Sequence, residues 1–153
     1  LISMDKGDLS TASFQFENII NDYESTSSAD MASFYLGKIN YKNNDLEMAQ
    51  KHIELYLKSD SKNILHVAAS KLLAEIYFRK NDLPNAINSI DLALKDCSGK
   101  FDCRSLEIKK AFYLIEKDEL STARELLIKI KGQNGLEPGH KKMVEELIGK
   151  VSS

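Results

Sequence analysis

The segment Asn44-Asp45-Leu46-Glu47-Met48-Ala49 decides the fold, because variants of it occur three more times along the chain. These variants begin at Gly7, Asn81 and Asp118, so neighbouring copies are 37 residues apart each time. A fixed period of a few tens of residues is the signature of an architecture built from stacked repeats. The chain is therefore predicted to contain four copies of one supersecondary unit.

Each position of the repeat has a physical role. The opening residue is Gly, Asn or Asp, types that tolerate the left-handed backbone at a helix end. The acidic residue that follows can accept hydrogen bonds from the free N–H groups of the next helix. An apolar series then recurs at steps of three, four and three residues, which places it on one helical face. In the second copy this series is Leu46, Ala49, Ile53 and Tyr56. The small alanine predicts a close approach of a partner helix.

A second helix precedes these segments, although the first copy keeps little of it at the chain start and the fourth copy is degenerate, with Lys110-Ala111 there. Leu36-Gly37 in one copy matches Leu73-Ala74 in the next, and both resemble the first helix of tetratricopeptide repeats. That resemblance implies an all-α, right-handed solenoid of helical hairpins, with one domain over 1–153. The predicted repeats lie near 1–25, 26–60, 63–97 and 103–132, followed by a capping helix at 138–151. The predicted helices span 8–22, 28–42, 45–58, 63–80, 83–96, 103–116, 119–131 and 138–151.

Composition and charge exclude several classes of function. The formal charge of −2 over 153 residues does not indicate nucleic acid as a partner. Residues 1–60 hold five Lys/Arg against ten Asp/Glu, an asymmetry that we attribute to solvated helix faces. No stretch approaches the roughly 20 apolar residues that span a membrane. The opening Leu1-Ile2-Ser3-Met4 lacks an initiator, so we expect an excised fragment whose targeting or anchoring segment would lie upstream.

The sequence contains no residues with the spacing of a catalytic or metal site. His52, His66 and His140 are far apart in sequence and match no ligand or nucleophile pattern. There is no phosphate-binding glycine loop and no nucleophile elbow. We therefore predict a non-catalytic protein without a metal, a cofactor or a small-molecule substrate.

Two cysteines lie close together between the third and fourth copies. Cys97 and Cys103 are near enough in sequence to form a disulfide, which an extracytoplasmic compartment would favour. Two free thiols in a cytosolic protein are the alternative, and the sequence does not choose between them.

A binding groove is predicted from the first helix of each pair, which lines the concave surface in the tetratricopeptide architecture. Positions that share one helical face, 37 residues apart, combine aromatic residues with Lys and Arg. Such a groove suits peptide segments held by apolar contact and charge. Alternatively, Tyr41, Phe78 and Ile115 pack between neighbouring helices. The candidate residues are Phe34, Lys38, Tyr41, Lys42, Lys71, Glu75, Phe78, Arg79 and Phe112, with Ile108, Ile115 and Glu116 at the remaining equivalent positions.

The order of parts is also similar to the YfgM-like ancillary subunits of the SecYEG translocon. The residues that carry this resemblance include 32–37, 44–49, 60–68, 71–76 and 142–147. It implies a periplasmic domain at the inner membrane whose partners are the Sec translocon, periplasmic chaperones or exported clients. The segment Tyr35–Tyr41 is also similar to the repeat domain of the division coordinator CpoB. A cytoplasmic peptide-binding adaptor and a self-associating scaffold are further alternatives.

Overall fold

Helices make up nearly all of the chain that the structure describes. The computed structural model describes residues 6–59, 64–97 and 103–152, and these ranges contain eight α-helices and no strand. All predicted helices are present, and their described ends agree with the prediction within two residues. The helices are α1 (Lys6–Asp22), α2 (Ser27–Lys42), α3 (Leu46–Leu57), α4 (Ile64–Arg79), α5 (Leu83–Asp96), α6 (Arg104–Glu116), α7 (Leu120–Lys131) and α8 (Pro138–Val151).

The hinge after α2 shows why the repeat places asparagine or aspartate there. Asn44 has a φ of 65°, the left-handed conformation in which these side chains are tolerated. The N–H of Asp45 then donates to the carbonyl of Asn40 at 2.9 Å, so the end of α2 keeps its hydrogen bonding. The same φ and the same bond recur after α4 and α6. The equivalent residues are Asn81 (φ 61°) with Asp82 and Tyr77, and Asp118 (φ 65°) with Glu119 and Leu114.

The acidic residue after each hinge begins the next helix, as predicted. Asp45 accepts a hydrogen bond from the N–H of Met48, and Asp82 accepts one from Asn85. Glu119 occupies the same position but makes no capping bond through its side chain. The shorter aspartate side chain is therefore the one that caps here.

The prediction for the first copy was wrong at Gly7. This residue lies inside α1, which begins at Lys6, instead of ending a preceding helix. The left-handed residue in this part of the chain is Ser25 (φ 62°), in the turn between α1 and α2. Nothing in the repeat pattern pointed to it, because the pattern marks only the hinge within a hairpin.

The chain divides into two compact units, Leu1–Ile76 and Tyr77–Ser153, with the boundary near the end of α4. In the first unit α2 packs against both α1 and α3. Leu36, Ile53 and Tyr56 are each at most 1% exposed and form its core. Gly37 allows α2 and α3 to approach closely, because a Cβ there would lie 2.5 Å from Ile53 Cδ1.

Helix α1 is less well covered than its counterparts. Ala12 and Phe16 are only half-buried, whereas the equivalent Ala49 and Ile53 of α3 are fully buried. α1 packs on α2, and it is the one helix of the first copy, residues 1–25, among the described residues. The first copy is therefore an incomplete hairpin within the described residues.

The second unit is closed by α8. This helix packs on α7 and α6, and its fully buried Val144 joins a cluster with Ile108, Leu127 and Ile130. Arg104, at the start of α6, donates to the carbonyls of Asn134 (3.0 Å) and Gly135 (3.2 Å). The turn that leads into α8 is thereby tied to α6. That the whole chain behaves as a single domain stays a prediction.

Candidate peptide-binding cleft

An open cleft lies between α2 and α4 within the first unit. Its volume is about 340 Å³. All six groove residues predicted within this unit line it together, although the four on α2 lie at least 29 positions before the two on α4. The lining residues are Phe34, Lys38, Tyr41, Lys42, Ala68, Lys71, Leu72 and Glu75.

The floor of the cleft is apolar and firmly packed. The Phe34 ring is only 4% exposed and lies 5.3 Å from the ring of Tyr56 on α3. Phe34 was predicted to contact a ligand directly, but burial makes it a floor residue that also belongs to the core. Leu72 and Ala68, from α4, line the opposite side. The floor is therefore preformed, and a ligand would not need to order it.

The rim of the cleft carries three ammonium groups. Lys38 and Lys42 are exposed and Lys71 is half-buried. The Nζ atom of Lys38 lies 5.5 Å from the centroid of the Phe34 ring and 5.7 Å from that of Tyr35. Within residues 6–59, 64–97 and 103–152, none of the three ammonium groups is ion-paired with a carboxylate.

Glu75 is the one acidic residue among the lining side chains, and it is engaged with Tyr41. The Tyr41 hydroxyl donates to Glu75 Oε2 over 3.5 Å, which links α2 to α4 across the cleft. The lining thus holds three lysines and one glutamate, an excess of positive charge over an apolar floor.

The other predicted groove residues lie in the second unit. Phe78 has its ring centroid 5.5 Å from that of Phe112 and 4.9 Å from that of Tyr113. The alternative packing role for Phe78 is the one its surroundings support. Arg79 is exposed. Tyr113 is 2% exposed, and the repeat gave no signal for its ring stacking. The residue one repeat earlier is Ile76, whose aliphatic side chain cannot stack on a ring.

The remaining candidate positions, on α6, contribute mostly to the core. Ile108 is 3% exposed and is not available to a ligand, and the half-buried Ile115 packs against the same cluster. Glu116 is exposed at the end of α6. The predicted groove residues of the second unit therefore serve packing more than binding.

A second cavity, of about 850 Å³, was not predicted from the sequence. It lies beside the turn between α1 and α2. Glu24 and Asp30 lie there with Lys58, so the lining has a small excess of negative charge. Short serine side chains make up much of the remainder, and the repeat pattern gives no signal for them. Ile20, Ala29 and Leu55 add apolar surface, so polar and apolar groups share the lining about equally, whereas the α2–α4 cleft is mainly apolar.

Cys97 and Cys103 are joined by a disulfide in the structure, with their Cα atoms 6.0 Å apart. Cys97 follows the last residue of α5 and Cys103 precedes the first residue of α6, so the bridge connects two helix ends. The predicted loop between them, residues 98–102, lies outside the described residues. The redox state in the cell stays a prediction.

The described residues hold no candidate metal site and no candidate membrane span. Among the described residues, no group of three or more His, Cys, Asp and Glu side chains is placed to hold a metal ion. Within the same ranges, no helix is both long and apolar enough to cross a membrane.

Helical hairpins of constant period, with a cleft between α2 and α4, define a helical-repeat protein. The tetratricopeptide repeat-like domain family matches residues 1–127, and the chain belongs to that family. Helix α8 lies beyond the matched residues. Proteins with this fold are generally non-catalytic scaffolds for protein partners.

Solved structures confirm the all-helical, tetratricopeptide-like fold. The TPR-like repeats of a putative kinesin light chain from Podosopora anserina superpose with a TM-score of 0.74 at 13% identity, covering 95% of this chain and 78% of that one. MamA superposes with a TM-score of 0.70 at 14% identity, covering 96% and 88%. At these identities the likeness concerns the fold alone. No curated protein sequence matches the chain significantly.

Proposed function

We propose that this protein is a non-catalytic scaffold that binds a segment of a protein partner in the α2–α4 cleft. The observation that carries the proposal is the cleft itself, where an apolar floor is surrounded by three lysines without ion-pair partners among the described residues. Concave sites with an apolar lining and a few convergent polar groups are typical binding sites.

The cleft would hold a segment through two kinds of contact. An apolar side chain of the segment would displace water from Leu72 and Ala68, above the buried Phe34, which favours binding by the hydrophobic effect. The lysine stems extend the apolar surface while their ammonium groups stay in water. Charge on the rim would then speed association and select among segments.

We further propose that the protein works in the bacterial cell envelope, on the periplasmic side, together with the Sec translocon and periplasmic chaperones. Two things support this setting: the similarity to the YfgM-like subunits, and the Cys97–Cys103 disulfide, since such bonds persist in oxidising compartments. A CpoB-like coordinator would share that compartment. A cytoplasmic adaptor would keep both thiols reduced, so the thiol state in cells separates it from the others.

A selection experiment tests the cleft as a binding site. A library of random peptide segments is selected on the full chain, and the enriched segments are measured against Ala68→Trp. This exposed lining residue of α4 becomes a large side chain that fills the cleft. The matched control is Leu92→Trp, at an exposed position of the second unit. We expect Ala68→Trp to weaken binding at least tenfold and Leu92→Trp to leave it unchanged. Equal binding to both variants would refute the proposal.

A further inference from the structure

We infer that the α2–α4 cleft selects an acidic segment of its protein partner, one that carries carboxylates on both sides of an apolar side chain. The inference rests on the proposed function and adds the chemistry of the ligand. Its basis is the charge that the cleft leaves unbalanced, three lysines against one glutamate.

The lysines of the cleft differ from other lysines of the chain in their ion pairing. Elsewhere in the chain, lysines do find carboxylates: Lys110 pairs with Asp91 at 2.6 Å and Lys117 with Glu119 at 2.6 Å. The three lysines of the cleft do not do so within the described residues. Three like charges around one cleft repel one another, and an anionic ligand would relieve that repulsion.

The groups that could attract a basic segment are few and partly engaged. Glu75 is the single carboxylate of the lining, and one of its two oxygens accepts the hydrogen bond from Tyr41. The ring faces of Phe34 and Tyr35, which can also attract cations, are close to the ammonium group of Lys38. Both arrangements favour carboxylates over ammonium groups in the ligand.

The placement of the apolar residues gives the order of groups in the segment. The floor is formed by Phe34, Ala68 and Leu72. The lysines come from both walls, Lys38 and Lys42 on α2 and Lys71 on α4. A segment with one apolar side chain over the floor and carboxylates before and after it would satisfy both walls. Charge-assisted contacts of this kind are stronger than neutral hydrogen bonds.

The test uses three labelled probe peptides of about a dozen residues that share a single central Phe. Their flanking residues are all Glu, all Gln or all Lys. We expect the full chain to bind the Glu peptide at least tenfold more tightly than the Gln peptide, with an affinity that falls as salt is added. Lys38→Glu with Lys71→Glu should weaken binding of the Glu peptide at least tenfold. Lys38→Gln with Lys71→Gln should weaken it less, and this milder pair covers the case in which charge reversal unfolds the protein.

The matched control is Lys95→Glu with Lys129→Glu, which makes the same change of charge at exposed positions of the second unit. Binding equal to that of the unchanged protein is expected. Tighter binding of the Gln or Lys peptide would overturn the inference, while cleft-dependent segments from the library would still support the proposed function. Failure of all three peptides would also overturn it.

The same lysine variants distinguish two other occupants of the cleft from an acidic segment of a partner. If the lysine pair is instead needed for association of the protein with itself, measured by sedimentation, the acidic occupant is a second copy and the inference is wrong. If vesicles rich in phosphatidylglycerol bind the protein through these lysines while the Glu peptide does not, the ligand is a membrane surface and the inference is likewise wrong.

Discussion

A Cβ atom placed on Gly37 would lie 2.5 Å from Cδ1 and 2.6 Å from Cγ1 of Ile53. These distances leave no room for a side chain where α2 crosses α3, so the glycine sets how closely the two helices pack. The equivalent residues in the later copies are Ala74 and Ala111, both fully buried. The second copy thus differs from the two later copies, because its residue at the helix crossing lacks the alanine methyl group.

Replacing this glycine should destabilise the protein despite a better helix propensity. Gly37→Ala gains up to about 1 kcal/mol of helix propensity but overpacks a buried contact at a cost of ~1–3 kcal/mol. We expect a net loss of about 1 kcal/mol in the free energy of unfolding, measured in denaturant. In an Ile53→Ala background the clashing atoms are gone, and the same substitution should be neutral or stabilising. An unchanged effect in the two backgrounds would show that Ile53 is not the obstacle.

The incomplete hairpin of the first copy makes a second prediction. Ala49→Leu and Ala123→Leu insert bulk at fully buried positions and should each cost ~1–3 kcal/mol of stability. Ala12→Leu, at the same position of the repeat, should cost less than about 0.5 kcal/mol because α1 is only half-covered there. Urea titrations of the three variants provide the comparison. Equal costs would mean that α1 is as well packed as α3 and α7.

Stability should depend on pH through His52. This side chain is buried on α3, and its Nδ1 has no hydrogen-bond partner among the described residues. Burial, and then the positive charge of Lys51, lower the pKa of His52 below 6.5, against the weaker opposite effects of Glu17 and Asp45. The unfolded chain therefore binds a proton at a higher pH than the folded chain does. Its contribution to stability is present above pH 6.5 and is lost as the pH falls toward the folded pKa.

The variant His52→Leu isolates this effect. It replaces the proton-binding group by an apolar side chain, and leucine is also the residue at the same position of the fourth copy, Leu126. We expect its free energy of unfolding to change less between about pH 7.5 and about pH 5.5, on either side of the reference pKa, than that of the unchanged protein. Parallel profiles for the two proteins would exclude His52 as the cause.

The disulfide makes a prediction about the compartment. If the protein is periplasmic, Cys97 and Cys103 will resist alkylation in protein isolated from cells, and mass spectrometry without reductant will find them joined. Closing so short a loop constrains the unfolded chain only modestly, so reduction should lower stability by no more than about 2 kcal/mol. Two alkylated thiols in protein taken directly from cells would place it in a reducing compartment.

Much of the fold followed from the constant 37-residue step. Asn44 and Asp45 indicate a hinge by their chemistry alone, and the contact that each makes is local, so the sequence carries enough information for it. Ala49 was expected to be buried because its position on the helical face is preserved in later copies. Such features depend on the nearest few residues and on one period.

The features that could not be predicted depend on packing between distant residues. Phe34 lies on the expected face of α2, but its depth is set by Tyr56 on another helix, and periodicity contains no information about depth. Gly7 matched the hinge pattern, yet it lies within α1. In the cleft, residue types and positions were predictable, whereas the lack of carboxylate partners for Lys38 and Lys71 among the described residues required coordinates.

The most direct test of the central claim is to locate a bound segment on the unmodified protein. A Glu-flanked peptide that carries a benzophenone in place of its central aromatic residue is bound and irradiated, and the attachment points are mapped by mass spectrometry. We predict attachment to the residues that line the α2–α4 cleft, chiefly to Lys38, Tyr41, Lys71 and Leu72. Attachment to α3 or to the second unit, with the cleft residues unlabelled, would contradict binding in the cleft.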